Sequence, residues 1–287
     1  MKILNAIGSA EIVRLVYEKT GTKLNYMISY NYLKGQVRKL TKEYRHMSNL
    51  LYLDSGAYSV YTGKTKISVS EYSLWINRYG NLWDEVFNLD EDFSDPELNL
   101  TNQLFLVKNL PPGRKKPIPV VHSPDNPFEE LKTYVGLGYD YIAIGSTMKS
   151  KDKLFNQIEK EYPDLKIHLF GDLNRKTLMN HKPYSADSST FAQAAARGII
   201  LYWREEEQRE YGLDLGERDR KTDEKPGKDG SKIVQLKDFK YRKEFKEFLS
   251  KTFQYKPRDL IHSSDAKWVV NCFFMKQLED HINGLSV

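Results

Sequence analysis

Short apolar runs, each ending in an acid, a glycine or a histidine, recur along this chain with helix-length spacers between them. The clearest is Leu51-Tyr52-Leu53-Asp54-Ser55-Gly56-Ala57-Tyr58-Ser59, a buried-strand pattern that stops at a carboxylate and a turn. Val86-Phe87-Asn88-Leu89 leads likewise to Asp90-Glu91-Asp92, Tyr141-Ile142-Ala143-Ile144 to Gly145-Ser146, and Pro183-Tyr184-Ser185-Ala186 to Asp187-Ser188-Ser189. Further strand candidates are Leu24 to Tyr30, Ile118 to Val121 ending at His122, Lys166 to Phe170 ending at Gly171-Asp172, and Gly198 to Trp203.

Helical periodicity fills the gaps. Ala10 to Lys19 places Ile12, Leu15 and Val16 on one face and stops at Gly21; Ser70 to Tyr79 does the same with Tyr72, Trp75, Ile76 and Tyr79. Leu104 to Val107, Glu129 to Val135 and Ala192 to Ala196 continue the alternation. Eight strand candidates separated by helices predict an α/β fold, a (β/α)8 TIM barrel, whose main part spans residues 1–204. In such a barrel the ends of parallel strands share one rim, which would gather Asp54, Asp90 and Asp187 at a single mouth.

Beyond Arg204 the pattern breaks. Residues 205–236 are polar and glycine-containing and read as a mobile loop. Residues 237–287 read as basic C-terminal helices that complete or pack on the barrel. From Lys237 to Arg258 there are eight Lys or Arg against three Asp or Glu, and Tyr241, Phe245, Phe248 and Leu249 stand at core-facing helical spacing. A last helix from Ser263 or Ser264 would bury Trp268, Cys272 and Phe273.

Composition narrows the function classes. The net charge of +5 is compatible with a polyanionic partner and does not demand one. The segment from Gly35 to Arg45 adds a local basic patch, read first as a solvated helix face. A single cysteine, Cys272, excludes both an internal disulfide and a thiolate zinc site. No apolar run approaches the roughly 18 residues of a membrane span, and Glu11 and Arg14 interrupt any signal-peptide core. The expectation is a cytoplasmic protein with no membrane association.

A mouth lined by several carboxylates and one histidine suits substitution at an anomeric carbon, where one carboxylate attacks and another manages the leaving-group proton. A lone Asp before Ser-Gly or Ser-Ser is more often a helix cap. Three acids at successive strand ends favour a site.

These rim residues also carry a resemblance. Asp54-Ser55-Gly56-Ala57-Tyr58-Ser59 resembles the Asp-Ser-Gly-Gly-Phe-Gln motif of the tRNA-guanine transglycosylase superfamily, and Phe87-Asn88-Leu89-Asp90-Glu91 resembles its Phe-Asp-Glu segment. Ala143-Ile144-Gly145-Ser146 is similar to its Ala-Ile-Gly-Gly, and Asp187, after the strand end at Phe170-Gly171, falls where that family keeps its nucleophile. The departures are equally specific. The family's zinc site of three Cys and a His is missing, Ala57 and Ser59 replace a Gly and a Gln, and Ser189-Thr190-Phe191 stands where a Thr-Arg stretch follows the nucleophile. Those losses resemble the compact DNA-modifying branch, the DpdA-type transglycosylases of phages and modification clusters.

The resemblance implies exchange of guanine in DNA for a free 7-deazaguanine base such as preQ0, with no cofactor and no metal. It implies Asp187 as nucleophile and Asp54 as general acid/base, labels that the residues alone would allow to be exchanged. Asp90 would read the base edge, the Gly145 and Ser146 backbone would line the pocket, and Ser55, Gly56 and Gly171 would complete the substrate-binding set; apart from the resemblance, Tyr58 and His122 are expected to help enclose the base. The alternatives are the same exchange in tRNA, a sugar-cleaving hydrolase, and a non-catalytic nucleic-acid-binding barrel.

Overall fold

The computed structural model describes residues 1–33, 36–145, 151–216 and 232–284. Eight strands form one sheet: β1 (Lys2–Ile7), β2 (Leu24–Ser29), β3 (Ser48–Asp54), β4 (Glu85–Val86), β5 (Val120–Val121), β6 (Tyr141–Ile144), β7 (Lys166–Leu169) and β8 (Ser185–Ser188). Their order is β4-β3-β2-β1-β8-β7-β6-β5 and every pairing is parallel. Neighbours in the sheet are sequential in the chain except at the β1–β8 pairing, which joins the two halves and leaves β4 and β5 as the outer strands of a sheet that curls with helices on its outer side. The two outer strands approach each other at a parallel bridge between Phe87 and Ile118. There the Ile118 amide donates to Val86 O at 2.8 Å and the Asn88 amide to Ile118 O at 2.9 Å.

Alternation along these strands sorts side chains into two cores. Leu4, Met27, Tyr52, Phe87, Ile118, Val120, Tyr141 and Ala143 form a compact cluster on the concave side. Ile3, Ile28, Leu51, Leu53, Val121, Ile142, Ile144 and Ala186 belong to the larger core under the helices. A residue two positions beyond a concave-side residue projects into the mouth. Asp54 follows Tyr52 in this way, His122 follows Val120, and Asp187 follows Ser185.

Two predictions about the strands change. The run Ile199–Arg204, expected as the eighth strand of the sheet, is β9 of a separate three-stranded sheet. It pairs antiparallel with β10 (Arg209–Asp214), which pairs parallel with β11 (Lys232–Gln235). Its place in the main sheet is taken by β1, at the very start of the chain. The expected 205–236 loop therefore contains strand structure at both ends; residues 217–231 lie outside the described residues. The reason is local: Gln208 adopts the left-handed conformation (φ 49°) and turns the chain straight back, so β9 pairs with its sequence neighbour, a short closure that costs little entropy.

The helix Ser264–Ile282 fastens the start of the chain to its end. It packs against β1, β9 and the helices Glu11–Thr20 and Thr190–Ala196. Glu279 accepts from the Ile3 amide at 2.5 Å and from Asn25 Nδ2 at 2.8 Å. Asn271, fully buried, accepts from the Leu201 amide and donates to Phe191 O and Ile199 O. Cys272 is buried in this helix, whereas Trp268 and Phe273 are only half-buried. On the basic helix Arg242–Phe253, Phe245, Leu249 and Phe253 face inward and Lys243, Lys246 and Lys251 face solvent. No helix among the described residues is long and apolar enough to cross a membrane.

Candidate active site

A cavity of about 400 Å³ opens at the C-terminal ends of the parallel strands, within the ~300–1,000 Å³ range of small-molecule sites. Asp54, Asp90 and Asp187 all line it, together with Met27, Ser29, His122, Phe170 and Gly171. The three acids expected to share a mouth do so.

Asp54 ends β3, immediately before a turn that Gly56 makes possible. Gly56 holds φ 85°, and a Cβ there would also lie 2.8 Å from Ser29 Oγ, so both conformation and space require glycine. Burial, and after it the neighbouring Asp90 carboxyl, push the Asp54 carboxyl up to about 7; Asp187 adds to the rise, while the Gly56 amide and Ser29 hydroxyl pull it partway back. Asp54 is thus poised to exchange a proton near neutral pH.

Asp187 lies within β8, opposite Leu4 of β1, and is 4% exposed. Its Oδ1 accepts from the Gly171 amide at 3.0 Å and contacts His168 Nε2 at 3.3 Å. Gly171 has φ 60°, the left-handed turn that points its N–H at the carboxylate.

Asp90 is also buried. Its Oδ2 meets His122 Nε2 at 2.5 Å, and its Oδ1 receives a long contact of 3.4 Å from Ser55 Oγ. The His122 ring stacks on Phe93 at 3.8 Å, and Phe93 stacks in turn on Tyr61 at 4.5 Å. Behind His122, Glu130 accepts from the His122 and Ser123 amides at 3.0 and 2.7 Å. Burial raises the Glu130 carboxyl above its ordinary value and those two amides hold the rise down.

The remaining expected residues divide by position. Tyr58 stands on the lip of the cavity, 57% exposed, on the one-turn helix Ala57–Tyr61. Ser55 is fully buried behind Asp90. Gly145 is not in the cavity wall; it backs His122 so closely that a Cβ would lie 2.2 Å from the ring. Ser146 lies outside the described residues. Among the described residues, no three of His, Cys, Asp and Glu come together in a way that could hold a metal ion.

Sequence reasoning missed His168 and Phe93. His168 falls at a concave-side position of β7, two residues before Phe170, so strand alternation was the available signal. Phe93 sits in the irregular stretch after β4, where no periodicity speaks.

Chemically, the cavity combines one carboxyl that can carry a proton near neutrality with a second whose oxygen accepts from the Gly171 amide and contacts His168. Two carboxylates whose environments differ in this way can divide acid and nucleophile roles between them. No family model matches the chain, and no curated protein matches it.

Proposed function

We propose that this chain is a base-exchange transglycosylase that replaces guanine in DNA with a free 7-deazaguanine base such as preQ0, on a closed (β/α)8 barrel. The observation that carries the reading is the placement of Asp54, held near neutrality, and Asp187, held by donors, on one cavity of base-accommodating size. The bridge between Phe87 and Ile118 supports closure of the barrel. The ordered resemblance of the Asp54, Asp90, Gly145 and Asp187 segments to guanine transglycosylases supplies the substrate class.

In this reading a target nucleotide is flipped out of the stack, because its C1′ cannot be reached within a duplex. Asp187 attacks C1′, the C1′–N9 bond breaks with its electron pair leaving on guanine, and the Asp54 carboxyl protonates the departing base. The product is a glycosyl ester on Asp187. The incoming base gives its N9 proton to the Asp54 carboxylate, its nitrogen attacks C1′, and the ester bond opens to restore Asp187. Asp90 would read the base edge through Oδ1, where only the long Ser55 contact sits. Exposed Tyr58 and Tyr32 on the lip offer flat faces for unpaired bases. The exposed lysines of the helix Arg242–Phe253 are candidates for backbone phosphates, with binding that weakens as salt rises.

The test is incorporation of radiolabelled guanine into duplex DNA, single-stranded DNA and unmodified tRNA. Label should enter DNA, and Asp187→Asn should reduce it on the order of 10³-fold or more. Label in tRNA alone would replace the substrate and keep the chemistry. Absence of label from all three would refute base exchange and favour a binding protein.

A further inference from the structure

We propose that His168 is a positioning residue for Asp187: it donates from Nε2–H to Oδ1 and leaves Oδ2 as the single reacting oxygen. The inference rests on the reading of Asp187 as the nucleophile. His168 is fully buried on β7. Its Nε2 faces Asp187 Oδ1 at 3.3 Å, its Nδ1 lies 2.7 Å from Ser185 Oγ, and Ser185 Oγ lies 2.6 Å from the Tyr141 hydroxyl.

With Asp187 a carboxylate and the imidazole neutral, one arrangement of protons satisfies this chain. A carboxylate only accepts, so Nε2 must carry the imidazole proton. Nδ1 of the neutral ring then accepts from the Ser185 hydroxyl, and Ser185 accepts from Tyr141. Burial pushes the Tyr141 phenol well above its ordinary value, so it keeps the proton that begins the relay. The rings of Phe87 and Phe170, 4.7 and 4.6 Å from the imidazole, surround it with apolar surface.

Two donors therefore converge on the same oxygen, His168 Nε2–H and the Gly171 amide. Among the described residues no hydrogen bond reaches Oδ2, while Asp187 itself lines the cavity. Rotation of the carboxyl would break both bonds, so Oδ2 stays aimed at the open space where a sugar carbon would arrive. The arrangement serves both halves of the exchange. When Oδ2 becomes the ester oxygen, Oδ1 is the ester carbonyl and still accepts; when the ester opens, the same donors receive the carboxylate again.

The experiment compares His168→Gln, whose amide nitrogen can reach the Nε2 position, with His168→Phe, which fills the space without a donor. With labelled guanine and DNA, the Phe variant should lose about 10- to 100-fold in kcat with the KM for guanine within about twofold. The Gln variant should recover most of that loss. Equal activity in the two variants, or losses that merely follow their melting temperatures, would overturn the positioning role. A second measurement needs no activity: nitrogen-15 NMR of wild-type imidazoles should show His168 neutral, protonated at Nε2 and bare at Nδ1. The opposite tautomer would overturn the proposal even if exchange is observed. Conversely, wild-type protein with no exchange but the expected tautomer would remove the proposed function and leave the His168–Asp187 bond standing.

Discussion

Replacing Gly145 by alanine should unseat His122. A Cβ at this position would lie 2.2 Å from both Cε1 and Nδ1 of the imidazole, a separation that no real contact tolerates. The ring cannot simply slide away, because it is 4% exposed, stacked on Phe93 at 3.8 Å and bonded to Asp90 at 2.5 Å. Overpacking of a filled interior costs about 1–3 kcal/mol, and loss of the Asp90 contact adds to that. A net destabilisation of about 2 kcal/mol would lower the melting temperature of a chain this size by about 5 °C. Gly136, the last residue of the helix Pro127–Gly136, is the internal control: a Cβ there meets nothing within 4 Å. Gly136→Ala should be neutral or slightly stabilising. Thermal and urea unfolding of both variants, with the single variant His122→Ala and the double variant His122→Ala/Gly145→Ala, gives the coupling directly. The second change should recover part of the loss, since it removes the ring that the methyl group strikes. If Gly145→Ala melts with Gly136→Ala, the close packing of Gly145 on His122 is wrong, and with it the account of what holds Asp90.

Two further outcomes follow from the same geometry. The Asp54 carboxyl is raised from 3.8 to about 7 in the folded protein; between those values the native state keeps a proton that the unfolded chain has lost. Its contribution to stability is therefore complete at low pH and declines as pH rises through about 7. Asp54→Asn, which does not ionise, should flatten the urea midpoint across this window and unfold later than wild type at pH 8; parallel profiles would refute the shift. Asn271→Ala removes the partner of one buried amide and two carbonyls joining β9 and the helix Thr190–Ala196 to the last helix. It should cost about 3 kcal/mol in urea unfolding, and a loss below about 1 kcal/mol would show that water or relaxation replaces those bonds.

The acids at the rim were legible because their signal is local. An apolar run that halts at a carboxylate identifies a strand end, and parity along that strand places the acid on the same side as the residue two before it. Asp54 and Asp187 obey that rule. Most of the helices were legible as well, because their hydrophobic period is written within ten or so consecutive residues. His168 obeyed the strand rule too and was passed over, since a histidine in an apolar strand gives no sign of its partner.

The linear pattern carried the alternation of strands and helices, the collection of carboxylates at strand ends, and the glycines that turn the chain beside them. It did not carry the pairing of Lys2–Ile7 with β8 or the departure of Ile199–Arg204 from the main sheet, because a strand's pattern records which side chains it buries and not which backbone it pairs with. Tertiary structure also separated the three acids. Each reads as the same Asp in the chain, but burial beside other carboxyls raises Asp54, His122 occupies Asp90, and His168 with Gly171 grips Asp187. Those differences come from neighbours brought together across strands, and a linear pattern contains no term for the distance between them.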